Sequence, residues 1–173
     1  MSGSPTDWKG VLIAQATAAV QAQLNSAIAT AVVSVLSTVT VLQPSDLLSA
    51  QSTPPILAPA QGDGKMIQAL FATLEYNPVS TDYTLGDIAD IYIGPQGNPT
   101  TQNVLQPVPA TLLDGSGGPG SVISLSPPVN VITAQKAIFN NLPLVLSHDG
   151  SVELLNGDGT LTVTLYYICT SCW

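Results

Sequence analysis

Arginine is absent from this chain of 173 residues, lysine occurs three times and histidine once. Lys9, Lys65 and Lys136 stand far apart, so no basic stripe can neutralise a run of phosphates, and direct nucleic-acid binding is set aside. Charge of either sign is scarce: 8% of residues are Asp, Glu, Lys or Arg, against about 25% in an ordinary soluble domain. Eleven acids against three bases leave a net charge of −8. Interface centres are depleted in charge, so this composition points to an assembly component. The bland alternative is a secreted Ser- and Thr-rich monomer kept soluble by its net charge.

Cysteine is nearly as rare. Cys169 and Cys172 sit in Cys-Thr-Ser-Cys-Trp at the C-terminal end, and His148 is the single imidazole. A structural zinc site needs four ligands, which one chain could complete only with carboxylates. The pair reads as two thiols or a local disulfide on a tail; zinc shared between symmetry-related tails is the other reading. No cofactor and no resident metal are expected.

Between Gly10 and Ser45 there is no ionisable residue at all. A signal peptide wants a basic start, and Asp7 offsets Lys9. A membrane helix needs about 20 predominantly apolar residues, and Gln15, Gln21, Gln23 and Asn25 interrupt the earlier half, so membrane insertion is not expected. Ile13, Ala16, Thr17, Val20, Leu24, Ala27, Ile28, Ala31 and Val35 recur at three- and four-residue steps, an eleven-residue pattern close to 3.67 residues per turn. The expectation is an N-terminal apolar helix or extended arm over residues 1–44. Its interface for self-association or anchoring would be Ile13, Val20, Leu24, Ile28 and Val35, capped by Thr6 or Asp7. Beyond Ala31 the residues become β-branched, and whether residues 31–42 are helix or strand is left open.

From residue 45 to 173 short alternating runs are punctuated by turn chemistry, which predicts a mainly β domain, an antiparallel β-sandwich or jelly roll. Candidate strands are Leu47 to Gln51, Ile56 to Pro59, Met66 to Tyr76, Ala89 to Ile93, Gln102 to Val108, Ser121 to Leu125, Val129 to Ile132, Leu144 to Ser147 and Thr160 to Ile168; Ala134 to Asn140 suggests a helical turn. Gly-rich connections at 61–64, 94–99, 114–120 and 156–159 supply the positive φ angles of tight turns. In the last strand Leu161, Val163, Leu165 and Tyr167 point one way and Thr160, Thr162, Thr164 and Tyr166 the other. Met66 to Tyr76 is its best partner by length and pattern.

Catalytic chemistry finds little to work with. A nucleophilic triad needs a base and an orienting acid converging on the nucleophile. The lone base, His148, reads as a surface residue at a strand end. Asp87 with Asp90, and Asp149 with Glu153 and Asp158, supply two or three carboxylates each, against the six to eight oxygens calcium takes. Turn geometry accounts for Asp63 and Asp158 more simply. Aromatics for sugar binding would be Trp8, Tyr76, Tyr83, Tyr92, Tyr166 and Trp173, but nine aromatics in all leave few to spare from a core. No enzymatic activity is expected.

The segments Ile56-Leu57-Ala58-Pro59, Gly62-Asp63-Gly64-Lys65-Met66-Ile67 and Leu74-Glu75-Tyr76, then Asn141-Leu142-Pro143-Leu144-Val145-Leu146 and Asn156-Gly157-Asp158-Gly159-Thr160-Leu161-Thr162-Val163-Thr164-Leu165-Tyr166-Tyr167, resemble a group of small tailed-bacteriophage virion proteins. The likeness covers about residues 45 to 168, and its closing motif is the most specific part. The chain departs from the group in its long apolar N-terminus and its Cys-Thr-Ser-Cys-Trp ending. The resemblance implies a jelly-roll or sandwich domain that decorates phage heads or forms small tail and spike parts, commonly as a homotrimer. The expected function is therefore that of a structural virion protein. It would be a capsid decoration (cement) protein binding its own copies and the major capsid protein. The alternative is a tail-fibre or spike module that recognises glycan or receptor protein on the host.

Overall fold

The computed structural model describes residues 17–23, 34–116, 121–127 and 140–171, and the chain divides into two units, residues 1–34 and 35–173. In the first unit residues 17–23 are helical and exposed. The second unit is mainly β and antiparallel, as the alternation predicts. Its strands are β1 (Leu36–Leu42), β2 (Ile56–Ala58), β3 (Lys65–Asn77), β4 (Tyr83–Thr84), β5 (Asp90–Pro95), β6 (Val108–Pro109), β7 (Ser121–Leu125), β8 (Leu144–His148), β9 (Leu155–Asn156) and β10 (Thr160–Ser171).

One four-stranded sheet has the order β1-β10-β3-β7, a second the order β2-β8-β5-β6, and β4 pairs with β9 in a small ladder. With that ladder set aside, the pairs β1 with β10, β2 with β8, β3 with β7 and β5 with β6 are nested one inside the next. The chain thus runs as one long antiparallel ribbon turned back at the β5–β6 connection. The ribbon is wound on itself and closed by two further joints, β10 to β3 and β8 to β5. Every pairing is antiparallel, so no helical crossover is needed.

Alternation decides which face each strand buries. Leu161, Val163, Leu165 and Tyr167 of β10 are buried, with Leu74, Tyr76 and Ala72 beside them on β3. Leu144 and Leu146 of β8, Ile91 and Ile93 of β5, and Leu57 of β2 face them from the second sheet in the same hydrophobic core. The expected partner of the last strand is therefore the observed one, and β10 extends to Ser171, past Ile168.

Three expectations are corrected. Residues 47–51 are not a strand: Pro44–Leu47 is a short α-helix whose first turn is closed by Gln43 N donating to Asp46 Oδ2 at 2.8 Å, with Pro44 opening it. Proline lacks the donor that a first helical turn leaves unused. Residues 102–108 form no long strand; only Val108 and Pro109 pair, with Ile91 and Asp90. Cys169 is no tail residue but half-buried in β10, its thiol donating to Gln61 Oε1 at 3.3 Å. Residues 36–42, left open between helix and strand, are β1. Residues 129–132 and 134–139 lie outside the described residues.

Candidate functional site

Of the five expected anchor residues, Ile13, Leu24 and Ile28 lie outside the described residues. Val20, on the helical turn at 17–23, is 65% exposed, and Val35, leading into β1, is 59% exposed. No helix among the described residues is long and apolar enough to cross a membrane.

The acids disperse. Asp149 Oδ1 accepts from the N–H groups of Ala89 and Asp90, at 2.9 and 3.0 Å, while Asp87 accepts from Ser151 N and Oγ across the same junction. Glu153 reaches back to Gln51 N and Ser52 N at 3.0 and 2.7 Å. Asp158 holds Ser80 N and Thr81 N, each at 2.9 Å, and also accepts from the Ser80 hydroxyl. Asp63 accepts from Asn140 Nδ2. The carboxylates thus brace loops, Asp87 and Asp149 the same junction from its two sides, and no group of three metal-ligating side chains occurs among the described residues. Hydrogen bonds to the ionised form, the Ser151 hydroxyl on Asp87 and the Ser80 hydroxyl on Asp158, hold both groups below the usual Asp range. For Glu153 burial pushes upward, but the donors of Ser52 and Gln51 outweigh it, and the carboxyl sits below its ordinary value.

His148 is not on the surface. It ends β8 beside Ile91, 3% exposed, with Nε2 at 3.5 Å from Glu153 Oε2. That separation suits an ion pair when the ring is protonated but is long for a hydrogen bond, and neither ring nitrogen has a hydrogen-bond partner among the described residues.

The aromatics also separate by role. Tyr76 and Tyr83 are buried against each other, with ring centroids 6.2 Å apart. Burial pushes both phenols up, and the Tyr83 hydroxyl donates to Gly159 O at 2.7 Å. Tyr92 is half-buried; Trp8 and Trp173 lie outside the described residues. Tyr166 points away from the core and stacks on Phe71, centroids 4.2 Å apart at an interplanar angle of 14°. Phe71 escapes notice in the sequence because Leu70 beside it makes the run look uniformly apolar. A register shift at Tyr166/Tyr167, which pairs Phe71 with Tyr166 but Ala69 with Tyr167, turns the ring outward.

That pair belongs to a continuous surface, the outer face of β1-β10-β3-β7. Reading across the strands, one row is Val41, Thr162, Glu75 and Val122, the next Val39, Thr164, Thr73 and Ser124, the third Ser37, Tyr166 and Phe71. Val39 is 67% exposed and Phe71 42%. Glu75 is the one ionisable carboxylate in these rows, and no cation stands in them. A sheet face that meets only water normally alternates to polar residues, whereas this one presents valine, threonine and stacked rings. Its chemistry is that of an uncharged docking surface.

Compared with known proteins, the chain matches no family model, no curated protein and no solved structure.

Proposed function

We propose that this chain is a structural protein of a tailed-bacteriophage virion, a capsid decoration protein that associates with its own copies and clamps onto the head. The observation that carries this reading is the outer face of β1-β10-β3-β7, which leaves Val39, Val41, Phe71 and Val122 exposed around a single carboxylate. Burying such a face yields about 25 cal/mol per Å² of apolar area before the costs of association. We infer further that the sandwich is a jelly roll. The nested strand pairs support this, since a ribbon wound on itself is the plan of that fold, which viral capsid domains use. The resemblance of residues 45–168 to small phage virion proteins points the same way and implies a trimer. On this reading the location is the virion, and the partners are further copies and the major capsid protein. Neither nucleic acid, membrane, cofactor nor catalysis takes part.

The test is co-sedimentation of the full-length chain with purified phage heads, beside Phe71→Lys. Saturable binding weakened at least tenfold by the lysine is the expected result. No co-sedimentation, together with absence of the chain from purified particles, overturns the proposal. The exposed Phe71–Tyr166 stack favours one second reading, a tail-fibre or spike module, because a flat aromatic pair suits sugar rings and receptor surfaces. A glycan-array signal lost in Tyr166→Ala would select it.

A further inference from the structure

We propose that the outer edge of β1 is a homotypic docking strand, pairing antiparallel with β1 of a second copy about a two-fold axis through Val39. The inference rests on the reading of the chain as a self-associating component and names the strand and register by which two copies meet. It does not depend on the virion, and a two-fold contact makes a dimer where the resemblance implies a trimer, so native mass separates the two.

β1 is the outermost strand of its sheet, and its inner edge is taken by β10 from Leu36 to Leu42. Along the outer edge none of its backbone groups is paired among the described residues. Thr38 Oγ1 donates to Leu57 O of β2 at 2.9 Å. Exposed edges are ordinarily blunted by charge, proline or a bulge. β1 has none of these: it is Leu-Ser-Thr-Val-Thr-Val-Leu, and its pairing with β10 runs without a register shift.

The occupant is argued from the strand's own symmetry. Reversed about Val39, the sequence nearly reproduces itself. Val39 meets Val39 of the second copy, Thr38 meets Thr40, Leu36 meets Leu42, and Ser37 meets Val41. The register keeps threonines on the core side of the joined sheet and valines on the outer face, so the pleat of one copy continues into the next. It serves whichever alternate set of backbone groups faces outward, because both sets are symmetric about the same residue. Such self-complementarity is what an isologous contact requires. Charge agrees: the whole chain carries −8, so two copies repel at a distance, and the charge-free β1 edge is where approach costs least. Glu75 lies two strands inward, about 10 Å from that edge. A strand pair alone buries less than the roughly 800 Å² per partner of a standard interface, so the association is concentration-dependent.

Register-specific cross-linking tests this. In full-length chain carrying Cys169→Ser and Cys172→Ser, Val39→Cys places the two new thiols directly opposite. The α-carbons are then about 4.5 to 5.5 Å apart, within disulfide reach. Ser37→Cys leaves its two copies about 13 Å apart along the strand. With oxidised glutathione as electron acceptor, the expected result is a covalent dimer from Val39→Cys, none from Ser37→Cys alone, and a dimer again when Ser37→Cys is mixed with Val41→Cys. In parallel, native mass of the otherwise unaltered chain across concentrations is compared with Val39→Lys and with Val79→Lys, an exposed site between β3 and β4 outside that sheet face. Val39→Lys is expected to weaken self-association at least tenfold and Val79→Lys to leave it unchanged. Equal cross-linking from Val39→Cys and Ser37→Cys overturns the proposal, as does self-association indifferent to Val39→Lys, or a chain monomeric at every concentration. Failure of head binding overturns the virion reading instead and leaves these outcomes untouched.

Discussion

At the scale of single residues, the excess of acid over base becomes a feature of loop construction. Six acids among the described residues, Asp46, Asp87, Asp114, Asp149, Glu153 and Asp158, accept hydrogen bonds from backbone N–H groups. The backbone thereby takes the part that lysine and arginine play elsewhere, and a chain with three cations can still satisfy its carboxylates. Because these bonds favour the ionised form, Asp87, Asp158 and Glu153 hold folded-state pKa values below those of the unfolded chain. The stability they contribute is complete above the ordinary carboxylate range and is lost as pH falls from about 5 through that range and below it. The urea midpoint is therefore expected to fall with acidification from pH 7 to 3, and to fall less steeply in Asp158→Asn, which starts lower at pH 7. Identical pH slopes for the two proteins would remove Asp158 from the account. Gly157 offers a second residue-scale check. Its φ is +83° and a Cβ there would overlap the Tyr83 ring, whereas Gly62, at φ +97°, has open space around it. Gly62→Ala should cost about 1 kcal/mol from backbone strain alone. Gly157→Ala should cost at least about 2 kcal/mol more once the ring must move, both read from urea unfolding at pH 7.

At the scale of elements, legibility follows the length and regularity of alternation. β10, β3 and β7 could be read from sequence because each shows period-two patterning over five or more residues with a glycine-rich turn nearby, and burial enforces that pattern. The helix at Pro44–Leu47 was hidden because Leu47, Leu48 and Ala50 look like a short apolar run, and its signal is the Gln43–Asp46 cap rather than any periodicity. β4, β6 and β9 have two residues each, too few to carry a pattern; they exist because β5 and the 156–159 turn bring them together. His148 misled because sequence places it correctly at a strand end but cannot tell that β8 is buried on both faces, Leu144 to His148 throughout. The outer face stayed illegible because its rows join four strands distant in sequence, and only the register of β10 on β1 and β3 assembles them. The same registers predict a sharp asymmetry across β3 and its neighbour. Leu74→Ala and Leu165→Ala, both at fully buried sites, should each cost about 2 to 5 kcal/mol. Val122→Thr on the outer face should stay within about 0.5 kcal/mol. Chemical denaturation monitored by tryptophan-independent circular dichroism measures all three, and comparable losses at inner and outer positions would mean that the outer face is packed against something in the isolated protein.

At the scale of the whole molecule, the wound ribbon and the net charge act on assembly in opposite directions. Winding commits the apolar side of eight strands to one core and brings the Val, Thr and aromatic residues of the outer face into adjacent rows. Attraction between copies or onto a shell then comes from area, which salt hardly weakens. The net charge of −8 opposes every such contact between copies over a distance set by screening, about 30 Å at 0.01 M salt and about 8 Å at 0.15 M. Lys9, Lys65 and Lys136 are the only cations the chain can offer to a partner's acids, too few to hold copies together by ion pairs. Self-association should consequently strengthen when ionic strength is raised from 0.01 to 0.15 M, as screening removes repulsion and leaves apolar burial in place. Sedimentation velocity at the two salt concentrations measures this directly. Association that weakens with added salt would place the contact on charge, of which the rows of the outer face of β1-β10-β3-β7 hold Glu75 alone, and would move the search for the interface to the acid-braced loops.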